Sequence, residues 1–354
     1  MAAAEAVAIE RSGVARWQWI ISAPEDVVWF IGSVSASYAL LGLTRFGISP
    51  VAIFLIWAFV FDGPHVFGTF SRTYLDAEER RTRGLLLWGS LAFFALGPTL
   101  YLVGLGKEFF FFASLWAYYH LVKQHYGFMV LYKKKNQDLA RVDQAIDRIF
   151  LSFGFWYPFV RFITVSAEAH KRVPFSLEGQ GAVIAEQLMW WGFVASAMLF
   201  TARQLQRVAR GERLNAPKYL LLAAAMPMHW VVFAALADNP LGPLLAVPFL
   251  TIFHNIQYHR LVWFHNQNKY RAAGASPQRY GLAVAVSRHF LIYAAVGLAF
   301  NFIYHAPRYL LAAPYGLAAS CFWGYAFIHY YLDSKIWRVR RDARLGESLR
   351  MAQS

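Results

Sequence analysis

His254-Asn255-Ile256-Gln257-Tyr258-His259-Arg260-Leu261-Val262-Trp263-Phe264-His265 stands at the end of an apolar run that begins at about Leu241. Such a run is long enough to cross a bilayer, since a helix rising about 1.5 Å per residue needs roughly 20 apolar residues to span the hydrocarbon. Imidazoles and amides at or near its end are costly there, and ionisable groups kept at such depth are usually functional. The reading of the whole chain turns on whether other apolar segments carry matching groups to the same depth.

Working outward, the 354 residues are 58% hydrophobic and only 15% charged, with apolar runs recurring along the whole length. That composition excludes a soluble globular protein and points to an all-α, polytopic integral membrane protein. The net charge of +14 does not mark a nucleic-acid surface, because the basic residues sit in short loops between apolar runs. Cys321, the single cysteine, lies inside the last run, so there is neither a disulfide framework nor a thiolate cluster. Any metal here must be held by nitrogen and oxygen. Met1 to about Ala23 is alanine-rich with mixed charges and lacks an adjacent apolar core with a cleavage site, so no cleaved signal peptide is expected.

Hydropathy predicts ten spans, at about Val27–Leu43, Val51–Phe70, Gly84–Gly104, Phe109–Tyr132, Ile149–Val165, Val183–Thr201, Tyr219–Ala237, Leu241–Phe264, Leu282–Tyr304 and Arg308–Leu332. They form one membrane domain over 1–354, with tails at 1–26 and 333–354 flanking a helical core at 27–332. Most of the 34 basic residues fall in the tails and in alternate loops, among them Arg11, Arg16, Arg80, Arg81, Lys133–Lys135, Arg207, Lys218, Lys269 and Arg338. The opposite loops hold only Arg45, Lys107, Lys171, Arg172 and Arg308. The alternation predicts cytoplasmic termini and suits a bacterial inner membrane. Asn136–Arg148 is polar enough to be a surface helix.

With that topology, depth follows from the distance to the nearest cytoplasmic basic residue. His65, His120, His125, His254, His259 and His329, with His289, fall roughly 9 to 22 Å from the cytoplasmic edge of a hydrocarbon core about 30 Å thick. His229 falls in the same band, whereas His170 and His305 lie on the far side and His265 near the cytoplasmic interface. A lone imidazole in a membrane usually hydrogen-bonds to a neighbouring helix. This many at one depth are hard to satisfy by pairing, whereas iron, copper or zinc takes neutral imidazole readily.

Local spacing adds candidate catalytic carboxylates. Asp62 is three residues before His65 and Asp333 four after His329, so each shares a helix face with its histidine and can orient the ring or complete the ligand set. Asn255 with His259, and His120 with Gln124, have the same spacing. The pairs His120/His125 and His254/His259 are five apart, about 140° around a helix, so both members meet one centre only through distortion or across two metals. Gly63-Pro64 is a candidate local break in the second span. The HxxxH and HxxHH boxes of membrane desaturases and hydroxylases are absent from the sequence.

Gly63-Pro64-His65, then His120, then His254 with His259, and finally His329 with Asp333 form a pattern that resembles the Brp/Blh family of membrane β-carotene dioxygenases. The resemblance implies a multi-helical membrane fold that holds one or two non-haem iron ions in histidines and oxidises a long isoprenoid or lipid with dioxygen. The shared depth makes His65, His120, His125, His254, His259 and His329 the candidate ligands, with His289 and His229 as further metal candidates. Cleavage, hydroxylation and desaturation remain open, the last two requiring an external electron donor. Two other classes stay in view, a haem protein for electron transfer and a proton-coupled carrier with buried histidines. The charge alternation has a direct readout: a green fluorescent protein fused after Ser354 should fluoresce and an alkaline phosphatase fused there should be inactive. The reverse result would place the carboxyl end outside.

Overall fold

The computed structural model describes residues 17–175, 179–310 and 314–351, with backbone alone at 308–309. Residues 1–16 of the amino tail expected to stay uncleaved, with Arg11 and Arg16, and part of the predicted tenth span (311–313) lie outside the described residues. Apart from one isolated bridge between Asp76 and Gly281, no strand pairing occurs among the described residues. The main helices are α1 Ala23–Arg45, α2 Pro50–Ser71, α3 Ala77–Thr82, α4 Gly84–Leu102, α5 Gly106–Lys135, α6 Arg141–Val165, α7 Gln180–Ala209, α8 Ala216–Leu236, α9 Gly242–Tyr270, α10 Phe290–Tyr304, α11 Tyr315–Ile336 and α12 Ala343–Ser348. Five of them, α1, α2, α4, α7 and α8, are long and apolar enough to cross a membrane. α5, α6, α9 and α11 are as long but carry polar side chains that they turn inward.

Caps and breakers set several of these bounds. Ser22 accepts from the Glu25 amide ahead of Pro24, and Asn215 accepts from the Lys218 amide ahead of Pro217, each satisfying a donor that the first helical turn leaves open. Three expectations shift. Asn136–Arg148 is no separate surface helix: Asn136 turns the chain by donating to the Gln18 and Tyr132 carbonyls, and α6 starts at Arg141 and runs on into the fifth span. The ninth span breaks at Ser287–His289, leaving the single-turn helix Leu282–Val286 before α10. The tenth begins at Tyr315 and continues to Ile336, past Leu332.

α9, which carries the opening stretch, is the hub. It packs on α1, α2, α5, α8 and α12 and buries residues on every side, as a helix inside a bundle must. At the periphery α7 lies along α6 and buries only Ser196 and Arg207, leaving Leu188, Trp191 and Met198 facing outward.

At the basic end a buried ion network ties four helices together. Lys133 of α5 pairs with Asp147 of α6, while Lys218 of α8 reaches Asp138 and Asp147, each at 3.1 Å. Arg207 of α7 reaches Asp138 at 3.1 Å and Glu212 at 3.0 Å, so three cations face three carboxylates. Burial pushes the Asp138 carboxyl up, but Lys218, Lys133 and Arg207 outweigh it and hold it below the ordinary carboxylate range. A depressed folded value means that this contribution is fully present above the unfolded value of ~3.9 and is lost as pH falls through the folded one. The lock should therefore survive pH 5 in a thermal melt of detergent-solubilised protein. Asp138→Asn should cost about 3–5 kcal/mol at neutral pH, because it strands buried cations, and should lower the midpoint of the same melt.

Candidate metal centre

Four helices each bring one imidazole to the same point. His65 follows a π-helical turn at Ala58–Asp62, where the Gly63 amide bonds to the Ala58 carbonyl. Pro64 has no amide hydrogen to give, so the helix widens there instead of breaking, and the extra residue per turn rotates the side chains beyond it. Gly63 permits close approach, since a Cβ there would collide with the Asn301 amide of α10. His120 comes from the middle of α5, His254 from α9 and His329 from α11. All four are buried, His329 completely.

The nitrogens converge. His65 Nε2 lies 2.9 Å from His329 Nε2 and 3.1 Å from His254 Nε2, and one ring nitrogen from each of His65, His120, His254 and His329 falls within 4.8 Å of all the others. The His120 ring sits 4.7 Å from that of His329 and 5.2 Å from that of His254, stacked on Tyr330. Ligands held about 2.0–2.1 Å from one ion at angles of 90–109° lie about 2.8–3.4 Å from each other, a range that includes the 2.9 Å and 3.1 Å contacts of His65. One shared hydrogen serves at most one or two of these contacts, and His120 Nε2 is left with no partner. These four histidines could hold a metal ion.

The network behind His329 fixes which of its nitrogens is bare. Thr69 donates its hydroxyl hydrogen to Asp333 Oδ1 at 2.6 Å, and Tyr258 donates to the same oxygen at 2.9 Å. Thr69 Oγ1 therefore accepts from His329 Nδ1, 2.6 Å away, which leaves Nε2 as a lone pair aimed at the other imidazoles. Gln124 donates to the His254 carbonyl at 2.8 Å and Gln257 to the Phe30 carbonyl at 2.7 Å, bracing α9 against α5 and α1. Gly68 leaves room for Tyr258, whose ring would stand 2.9 Å from a Cβ at that position.

Several expected members stand elsewhere. His259 is turned away from the four by its five-residue offset, with Nδ1 3.4 Å from the Tyr293 hydroxyl. His125 is likewise on another face of α5, beside His229 of α8 with ring centroids 5.8 Å apart. His289 is exposed at the amino end of α10, where the ninth span breaks. Asp62 does not orient His65: the π-helical turn carries its carboxylate to His305 Nε2, 3.1 Å away. Asp333 acts on His329 mainly through Thr69, its own oxygen being 3.8 Å from Nδ1. Gln124 does not serve His120, and the Asn255 amide has no partner rather than bonding His259. Thr69 and Tyr258 escape a reading of the sequence alone, although each lies four residues after one of the converging histidines, His65 and His254, and so on its face.

Compared with protein-family models, curated proteins and solved structures, the chain matches none.

Thr69→Val keeps the shape but removes the acceptor for His329 Nδ1–H, and should weaken metal binding about 10–100-fold, while Thr69→Ser should retain it. Equilibrium titration of metal-stripped protein would read both, and equal affinities for the valine and serine variants would contradict the tautomer assigned to His329.

Proposed function

We propose that this chain is a membrane-embedded, histidine-ligated non-haem iron oxidoreductase that uses dioxygen on a long apolar lipid or isoprenoid. The observation that carries the reading is the convergence of four buried imidazole nitrogens from four helices within 4.8 Å. An all-nitrogen donor set suits iron, copper or zinc and not magnesium or calcium, which take oxygen. The resemblance of Gly63-Pro64-His65, His120, His254 with His259, and His329-x-x-x-Asp333 to the Brp/Blh pattern favours iron and an isoprenoid-like substrate among these. The 2.9 Å approach of His65 Nε2 to His329 Nε2 supports a bare ion over a haem, whose two axial nitrogens stand about 4 Å apart on opposite faces of the macrocycle.

Iron bound at this site would supply the activation of dioxygen. The chain's own residues do the rest. His65, His120, His254 and His329 bind; Thr69, Tyr258 and Asp333 hold His329 in the tautomer that presents Nε2; and the apolar packing around them keeps water from the reacting carbon. A cleavage reaction needs no net electrons, whereas hydroxylation or desaturation takes them from an external donor. The setting in this proposal is ten spans with both termini cytoplasmic, in a bacterial inner membrane, the metal nearer the cytoplasmic side.

Metal analysis and the visible spectrum of detergent-purified protein test this directly. Wild type should carry one or two equivalents of iron without a haem band. His65→Ala and His329→Ala should each lose most of it, together with any lipid-dependent oxygen consumption. Folded wild type that is metal-free without exposure to chelators would sink the proposal and favour the carrier.

A further inference from the structure

His125 and His229 form a second buried imidazole pair that the four-histidine centre does not use. Both are completely or almost completely buried, His229 at 0% and His125 at 1% exposure, between α5, α6 and α8. Their rings stand 82° apart at 5.8 Å, edge to face, with Phe155 against both. Tyr118 donates its single hydroxyl hydrogen to the Phe155 carbonyl at 2.6 Å, so its oxygen, 3.1 Å from His229 Nδ1, can only accept there. His229 Nδ1 therefore carries the hydrogen, and Nε2 is a bare lone pair. Nothing donates to it. Nδ1 and Nε2 of His125 are both without partners as well.

An unmet polar nitrogen in an apolar interior costs about 1–3 kcal/mol, and here at least three lie together in a site walled by Phe155, Phe253 and Phe233. Packing does not account for two histidines facing each other there, since leucine or phenylalanine would fill the space without that cost. His125 lies five residues beyond His120 on α5, so the pair borders the four-histidine centre. We infer that His125 and His229 hold a second first-row transition-metal ion, bound through His229 Nε2 and a ring nitrogen of His125, next to the four-imidazole site. Tyr118 is its positioning residue, fixing the tautomer of His229. With two imidazoles against four, this site binds more weakly than the first.

The test is titration of metal-stripped, full-length protein in detergent with Co²⁺ alone, followed by its visible absorption, in wild type, His125→Ala, His229→Gln, Tyr118→Phe and His65→Ala, each checked for an intact thermal transition. Wild type should take up two equivalents, the second more weakly. His125→Ala and His229→Gln should retain one tight equivalent, and His65→Ala should retain the weak one. Tyr118→Phe, which adds no volume and leaves both imidazoles, should weaken only the second site, about 10–100-fold. One equivalent in wild type, kept in His125→Ala and lost in His65→Ala, would overturn the second site and leave the first standing, the pair then holding buried water only. One equivalent lost in His125→Ala but kept in His65→Ala would instead overturn the four-imidazole centre.

Discussion

A lone pair buried in an apolar bundle must face a positive partner, and the arrangement of α2, α5, α9 and α11 follows from that constraint. His65, His120, His254 and His329 reach one point only because α2 widens before Pro64, because Gly63 lets α10 close in, and because α9 runs through the centre. His120 Nε2 is left unmet at that point, at a cost of about 1–3 kcal/mol, while the other three imidazoles share hydrogens among themselves. Apolar packing of Phe249, Phe253 and Leu245 on the hub supplies the stability that tolerates it.

Rigidity comes from the basic end of these helices and from their middles. At the basic end, Asp138 and Asp147 bind the ends of α5 through α8, and Asp76 accepts from Lys269 and Tyr270 to hold the end of α9 against the loop after α2. Nearer the centre, Gln124 and Gln257 spend their amides on backbone carbonyls of neighbouring helices rather than on histidines. Such bonds fix one helix's height against the next, and a slip of an ångström would separate imidazoles that meet within 4.8 Å.

Composition alone makes the class of fold legible, because nothing but a membrane accommodates so many long apolar helices. Depth counting from the basic loops groups together all four imidazoles that meet. It cannot sort them by direction, which is why His125 and His259 share the band without reaching the centre. Rotation about a helix axis is set by local winding, and the π-helical turn that sends Asp62 to His305 has no mark in the sequence beyond Gly63-Pro64. The break that exposes His289 falls within an otherwise apolar stretch. Thr69 and Tyr258 do not stand out in the sequence, because a hydroxyl four residues from a histidine is commonplace in helices. Only the contact with Asp333 distinguishes them.

His65 and His329 touch across 264 positions of sequence. During synthesis the first three imidazoles enter the membrane with the early and middle helices, but the centre lacks its fourth wall until α11 has been made and inserted. The helix that brings His329 also brings Asp333, so ligand and orienting network come together in one late step. A chain that stopped short of α11 would keep three of the four imidazoles and lose the fourth together with the carboxylate that orients it.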